Sequence, residues 1–310
     1  MTYSVVIPCY RSSDTIAKVV DLTSKELSDS EHEFILVNDA SPDSGKTLSS
    51  INELAENKNN VIAIDLAKNS GQHNAILCGL KYAKGEYIIC MDDDMQTHPS
   101  QIHTLISKMD EGYDVVYASY PEKKHSLFRR IGSSFNSLCE KIFIGKPKNL
   151  ETNSYWIMRR FVRDHLILYS NSYTYLDGLV LRTTRNIANA PVKHFERESG
   201  ISGYTLKKLI LHWFDIIGFT IAPLKAAFCV GMLTSIASII SAIIIIIQKL
   251  CSGIQTTGWS SLMVTICFFS GVNLIFLGVI GEYIGRLFQS SNKEPQYVIR
   301  QVKGNTIKND

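Results

Sequence analysis

The chain has 310 residues, 45% of them hydrophobic, with 32 Lys and Arg against 29 Asp and Glu and a net charge of +3. That length accommodates one large domain or two smaller ones, and so slight a basic excess makes no case for nucleic acid as a partner. Seven cysteines are scattered without a Cys-x-x-Cys pair, mostly in apolar runs. This reads as reduced, packed thiols rather than disulfides or zinc ligands.

The N-terminus shows no basic n-region and enters an apolar segment at once, so no cleavable signal peptide is expected. Up to residue 120 the chain alternates strand-like and helix-like segments. Strands are expected at 3–8, 33–38, 61–66, 86–91 and 114–118, and helices at 14–27, 44–57, 72–83 and 99–111. Asp14 and Ser44 are suited to capping the first two helices. Continuous apolar strands separated by helices indicate an α/β fold with a parallel, doubly covered sheet. Ligands of such sheets collect outside the carboxyl ends of the strands. Four polar turns fall there: Pro8-Cys-Tyr10, Asn38-Asp39, Asn69-Ser-Gly71 and Asp92-Asp93-Asp94. Together they predict a nucleotide-type crevice, with Pro8, Tyr10, Asp39, Asn69, Gly71, Asp92 and Asp93 as its binding residues.

The Asp triplet is the most informative of the four. Three adjacent carboxylates repel one another at neutral pH, so a cation is expected among them. Hard oxygen ligands suit Mg²⁺ or Mn²⁺, which bridge a few carboxylates and a substrate diphosphate. An acidic turn exposed to water is the plainer reading of such a cluster. Gln96 and Pro99 follow as a polar turn into the next helix, and Asp92, Asp94 and Gln96 form the candidate metal set.

Beyond Pro121 the pattern loosens. An amphipathic helix is expected at 126–144, with Arg129 and Arg130 near its start. A strand at 155–158, a helix at 174–183 and a strand at 192–195 follow, then a loop at 196–204. Residues 205–218 place Lys207, Lys208, His212 and Asp215 among Leu, Ile, Trp and Phe at helical spacing, the make-up of a helix lying in a membrane interface. No charged residue occurs from 226 to 247 or from 250 to 281. About 20 apolar residues cross a bilayer as helix, so two transmembrane helices are expected, at 226–247 and 259–281. Lys207, Lys208 and Lys225 precede the first span and Arg286, Lys293, Arg300 and Lys303 follow the second. The connecting loop, 248–258, offers only Lys249. Positive-inside bias puts both termini in the cytoplasm. A short strand returning to the cytosolic domain is expected within 294–300.

The motifs also carry a resemblance. Tyr3-Ser-Val-Val-Ile-Pro-Cys-Tyr10, Val37-Asn-Asp-Ala-Ser-Pro-Asp43, Asn69-Ser-Gly-Gln-His-Asn-Ala75 and Met91-Asp-Asp-Asp-Met-Gln-Thr-His-Pro99 resemble family 2 glycosyltransferases of the A-type, Rossmann-like fold. Gly200-Ile-Ser-Gly-Tyr204, Gly258-Trp-Ser-Ser-Leu-Met263, Gly281-Glu-Tyr-Ile-Gly-Arg286 and Pro295-Gln-Tyr-Val298 are similar to the membrane-bound polyprenyl-phosphate branch. That branch includes the relatives of dolichyl-phosphate mannose synthase and of bacterial undecaprenyl-phosphate glucosyl and aminoarabinosyl transferases. The resemblance implies a cytosolic catalytic domain over 1–204, an interfacial helix over 205–221, a two-helix hairpin over 222–289 and a cytosolic tail over 290–310. The implied setting is an integral protein of the bacterial cytoplasmic membrane, with room for a homo-oligomer.

The implied reaction moves one sugar from a nucleotide-diphosphate sugar to polyprenyl phosphate. In it Asp94 and Arg197 are the catalytic residues, the one through a divalent ion and the other on the departing phosphate. Arg129, Arg130 and Ser202 are the expected seat of the lipid phosphate. The chain departs from its relatives at 151–159, where their expected base is missing or replaced by Glu151. Two other readings stay open: a silent nucleotide-sugar or lipid-phosphate binding partner of a flippase, and a transferase to a hydroxyl.

Overall fold

In a computed structural model of the chain, the described residues are 1–120, 141, 144–147, 149–171, 174–193, scattered positions between 224 and 247, 258–292 and 294–304. Strands β1 (Thr2–Cys9), β2 (Glu31–Asn38), β3 (Val61–Leu66) and β4 (Tyr87–Cys90) run parallel in the order β3-β2-β1-β4. Helices α1 (Ile16–Glu26), α2 (Lys46–Asn57) and α3 (Gln72–Leu80) connect them. A 3-10 turn at Pro99–Gln101 leads into α4 (Ile102–Met109) and then β5 (Val115–Ser119).

The five strands of the first 120 residues run in one direction, as expected, and later strands make the whole sheet mixed. Strand β6 (Trp156–Arg159) inserts antiparallel between β4 and β5, and β7 (Ile187–Pro191) lies parallel on the far side of β5. The last strand, β8 (Ile299–Lys303), pairs antiparallel with β3, completing an eight-stranded sheet. Two short helices, α5 (Arg160–Leu166) and α6 (Leu176–Thr183), pack beside β6.

Both faces of the sheet are covered, because alternate strand residues point to opposite sides. Val5, Ile7, Phe34 and Leu36 join Ile16, Val19 and Val20 of α1 with Ile102 and Leu105 of α4 in one core. Val6, Ile35 and Val37 join Ala75–Leu80 of α3 and Val162 and Leu166 of α5 in the other. Helix α3 lies close to the sheet because Gly79 has no side chain: a Cβ there would sit 2.5 Å from Val6 Cγ1.

The expected strand at 192–195 is displaced. The sequence Ile-Ala-Asn-Ala-Pro at 187–191 pairs with β5 instead, and Val192 N–H closes on Ser119 O at 2.9 Å. Neither Asp14 nor Ser44 caps a helix: the N-cap positions are Thr15 and a left-handed Gly45. Asp43 does the work at α2, accepting the Thr47 N–H at 3.0 Å.

The C-terminal part contains one long helix, α7 (Trp259–Ser291, 33 residues). Its stretch Phe268–Ser291 is long and apolar enough to cross a membrane, and none of it is buried by the rest of the chain. That stretch includes Glu282 and Arg286, which pair at 2.8 Å, so the uncharged residues up to Gly281 are the better candidates for bilayer contact. Described positions within 228–247 are helical and exposed. Most of the helix expected at 126–144 and all of the interfacial helix expected at 205–218 lie outside the described residues, as does the loop 196–204.

Candidate active site

The order β3-β2-β1-β4 places the topological switch point between β1 and β4, where connections leave to opposite sides of the sheet. The loops that follow these two strands are Tyr10–Ser12 and Asp92–Asp94. They meet there: Tyr10 N–H donates to Asp93 Oδ2 at 3.0 Å, and the Ser12 hydroxyl bonds the same oxygen. The second and third turns close beside them. Asp39 N–H donates to Cys9 O at 3.0 Å, and the Asp39 carboxylate accepts Ser70 N–H at 2.6 Å and Gly71 N–H at 2.9 Å. Asn69 Nδ2 donates to Asp39 O at 3.1 Å. Gly71 opens α3 with φ of +86°, a left-handed conformation that suits glycine and lets its N–H reach the carboxylate. Pro8, Tyr10, Asp39, Asn69, Gly71, Asp92 and Asp93 are thus gathered on one rim, as the spacing of the motifs predicted.

Three non-glycine residues of this rim hold positive φ: Arg11 at 60°, Ala40 at 47° and Met95 at 63°. Such backbone persists only where surrounding contacts fix it, and it gathers at functional sites. Met95 is buried, so its side chain anchors the strained turn directly after the triplet.

The three carboxylates face different partners. Asp92 accepts Gln72 Nε2 at 2.7 Å and the Ser154 hydroxyl, and Asp94 Oδ1 accepts Gln96 N–H at 3.0 Å. Burial pushes the Asp92 carboxyl up to about 7; the Ser154 hydroxyl pulls the other way, while Asp94 and Asp93 add to the rise. Burial likewise raises Asp93, with the Ser12 hydroxyl and Tyr10 amide opposing. Burial also raises Asp39, the Ser70 and Gly71 amides offsetting part of the effect.

Among the described residues no three His, Cys, Asp or Glu side chains converge as a ready metal cluster. Asp92, Asp94 and Gln96 nevertheless supply hard oxygen donors from one five-residue turn. A carboxyl held near 7 by burial and by like charges gains most from a cation, so the donor set fits a divalent ion that shares its shell with substrate.

Several residues at the rim escaped sequence reasoning. Gln72 lies inside the Asn69–Ala75 motif but was passed over, and Ser12 follows the first motif. Ser154 belongs to the departing segment and reaches Asp92, whereas Glu151 turns aside: its carboxylate lies 3.5 Å from Tyr120 N, and its N–H donates to Asn189 Oδ1 at 2.9 Å. Arg129, Arg130, Arg197 and Ser202 lie outside the described residues.

A doubly covered α/β sheet with an acidic switch-point crevice, followed by an apolar C-terminal helix, has the architecture of an A-type, Rossmann-like domain with a helical C-terminal extension. Residues 4–170 match Glycosyl transferase family 2, and residues 222–287 match the GtrB C-terminal hairpin. The chain belongs to glycosyltransferase family 2. It is 33% identical over 312 residues to an undecaprenyl-phosphate 4-deoxy-4-formamido-L-arabinose transferase of Proteus mirabilis, covering 97% of this chain and 94% of the relative. A transferase of the same name from Photorhabdus laumondii is 32% identical over 319 residues, covering 99% and 96%. Among solved structures, glucosyl-3-phosphoglycerate synthase from Mycobacterium tuberculosis superposes with a TM-score of 0.50 at 16% identity, over 71% of this chain and 80% of that one. That likeness concerns the fold.

Proposed function

We propose that this glycosyltransferase moves one sugar from a nucleotide-diphosphate sugar onto polyprenyl phosphate at the cytosolic face of a membrane. The observation that carries the reading is the acidic switch-point crevice in a chain whose match to undecaprenyl-phosphate transferases extends through the apolar C-terminal hairpin. Tyr10, exposed at the mouth with Arg11 stacked on its ring, offers a face for the donor base. Asp39 and the Asn69–Gly71 turn shape the donor pocket, with Pro8, Asp92 and Asp93 along its floor. Asp92, Asp94 and Gln96 hold Mg²⁺ or Mn²⁺, which when bound neutralises charge developing on the leaving diphosphate. Gln72 and Ser154 fix the Asp92 carboxylate in place. Arg197 serves the departing phosphate, and Arg129, Arg130 and Ser202 seat the lipid phosphate. An acceptor phosphate is already anionic at neutral pH, so no strong base is required of the chain.

The competing reading is a hydroxyl acceptor, which would need a carboxylate base near the triplet. The two readings separate when membranes containing the protein are given labelled nucleotide sugars and undecaprenyl phosphate. Label moving into an acid-labile lipid, dependent on the added polyprenyl phosphate, is the expected result. Label entering a different acceptor, or none, defeats it.

A further inference from the structure

Strand β8 does more than close the edge of the sheet. Its register against β3 runs Ala63 with Lys303, Ile64 with Val302 and Asp65 with Gln301, and then slips so that Leu66 faces Ile299. Arg300 is the extra residue at that slip. A bulge re-aims the side chain it carries, and here the guanidinium reaches over the end of β3. Nη1 lies 3.2 Å from Asp65 Oδ2 and Nη2 lies 3.0 Å from Ala67 O.

Asp65 is the unusual partner. Its side chain is only 2% exposed, in a strand otherwise made of apolar residues. A carboxylate at such depth is costly unless paired and hydrogen-bonded. Its other oxygen, Oδ1, accepts Asn38 Nδ2 at 2.7 Å, from the residue directly across the β2–β3 ladder. Asn38 then turns its own oxygen to Ser41, accepting the hydroxyl at 2.6 Å and the N–H at 3.2 Å. The Ser41 hydroxyl oxygen accepts Arg11 N–H at 3.1 Å. Each step fixes the next side chain's orientation. The chain of contacts ends on Arg11 and spans Ala40, two of the three strained residues of the rim. The second arm of Arg300 holds Ala67 O, just ahead of the Asn69–Gly71 turn that clasps Asp39.

We propose that Arg300 is a positioning residue for the donor-nucleotide rim, acting through Asp65 and Asn38 on the 38–41 turn and through Ala67 on the 67–71 turn. This rests on the reading of the rim as the donor site. The proposal also gives the segment after α7 a task. Only residues 292–298 separate the long helix from β8, and Gln296 Nε2 fastens that link to Asn171 O at 2.7 Å. The helix end is thereby tied to the donor pocket through a continuous set of contacts.

A second ion pair on the same strand supplies the control. Lys303 pairs with Glu56 of α2, both partly exposed and remote from the 38–41 turn. An edge staple alone would make the two pairs equivalent. The experiment titrates UDP and GDP, with saturating Mg²⁺, into the purified full-length protein in detergent, with melting temperatures recorded in parallel. Arg300→Ala is expected to weaken the better-bound nucleotide about tenfold, while Lys303→Ala binds as the unaltered protein does. If Arg300→Ala does not yield folded protein, Arg300→Lys carries the test. It keeps a charge at Asp65 but loses the second arm, and about threefold weakening is expected. A lowered melting temperature with unchanged affinity, or equal weakening by the Arg300 and Lys303 variants, overturns the proposal alone. Failure of the unaltered protein to bind either nucleotide overturns the reading of the rim and the proposal with it.

Discussion

Asp92 and Asp94 separate two kinds of carboxylate that the sequence presents as one cluster. Asp94 sits on a turn and accepts the Gln96 N–H at 3.0 Å, so Asp94→Ala removes a proposed metal ligand and little packing. Sugar transfer is expected to fall about a hundredfold or more, with the melting temperature nearly unchanged. Transfer at the normal rate would remove Asp94 from the metal set. Asp92 makes the pH prediction. Its folded-state carboxyl stands near 7 against an ordinary value of 3.8, chiefly through burial. The folded protein therefore binds more protons than the unfolded chain between these values, and stability falls as pH rises through that window. A divalent ion competes with the proton, so added Mg²⁺ should raise the melting temperature more at pH 8 than at pH 6. Thermal melts of the unaltered protein and Asp92→Asn, with and without Mg²⁺, check this. A Mg²⁺ effect that is independent of pH, or that persists unchanged in Asp92→Asn, would contradict it. The rim residues with backbone roles were legible because proline, glycine and paired acids mark turns. Ser12, Gln72 and Ser154 were not, since a serine or glutamine acquires its role only from the carboxylate that the fold brings to it.

At the scale of elements, strands that are buried on both faces were legible almost to the residue. Val61–Leu66 is an uninterrupted apolar run apart from Asp65, and it forms β3 as expected. What the sequence hid are the antiparallel partners. Nothing local in Trp156–Arg159 says that it inserts between β4 and β5, because its pairing is set by contacts with residues 39 to 72 positions away. Residues 187–191 were missed for the opposite reason: only Ala190 among them is buried, so no apolar run marks a strand that exists through its pairing with β5. Helix α3 illustrates how packing overrides propensity. Replacing Gly79 by Ala gains about 1 kcal/mol of helix propensity, yet its Cβ would lie 2.5 Å from Val6 Cγ1 and 3.2 Å from Val37 Cγ2. Forcing a methyl into such a contact costs about 1–3 kcal/mol. The Gly79→Ala protein is expected to melt below the unaltered one, and a rise in melting temperature would show that propensity wins.

For the whole molecule, β8 turns a question of membrane topology into one of connectivity. Helix α7 has 33 residues, about 50 Å of helix, against a hydrocarbon core of about 30 Å. In a helix that crosses a bilayer the surplus would project from it, and the last turn of α7 meets the catalytic domain, where Ser290 Oγ lies 3.0 Å from Asn171 Oδ1. The chain then returns to pair with β3, so the C-terminal strand and the catalytic sheet share one side of the membrane. We propose that the hairpin matched over 222–287 crosses twice, so that residue 222 returns to that same side and 248–258 lie on the other. We propose from the flanking lysines and arginines that the domain's side is the cytoplasm. Reporter fusions should therefore signal cytoplasm after residue 304 and the exterior within 248–258. A fusion within 248–258 reporting cytoplasm would mean that the hairpin does not cross. A C-terminal fusion reporting the exterior would require β8 to leave the sheet, breaking the Arg300–Asp65 contact as well as the ladder. Release of the protein by carbonate would remove both spans, leaving the 33-residue helix as a surface-bound arm.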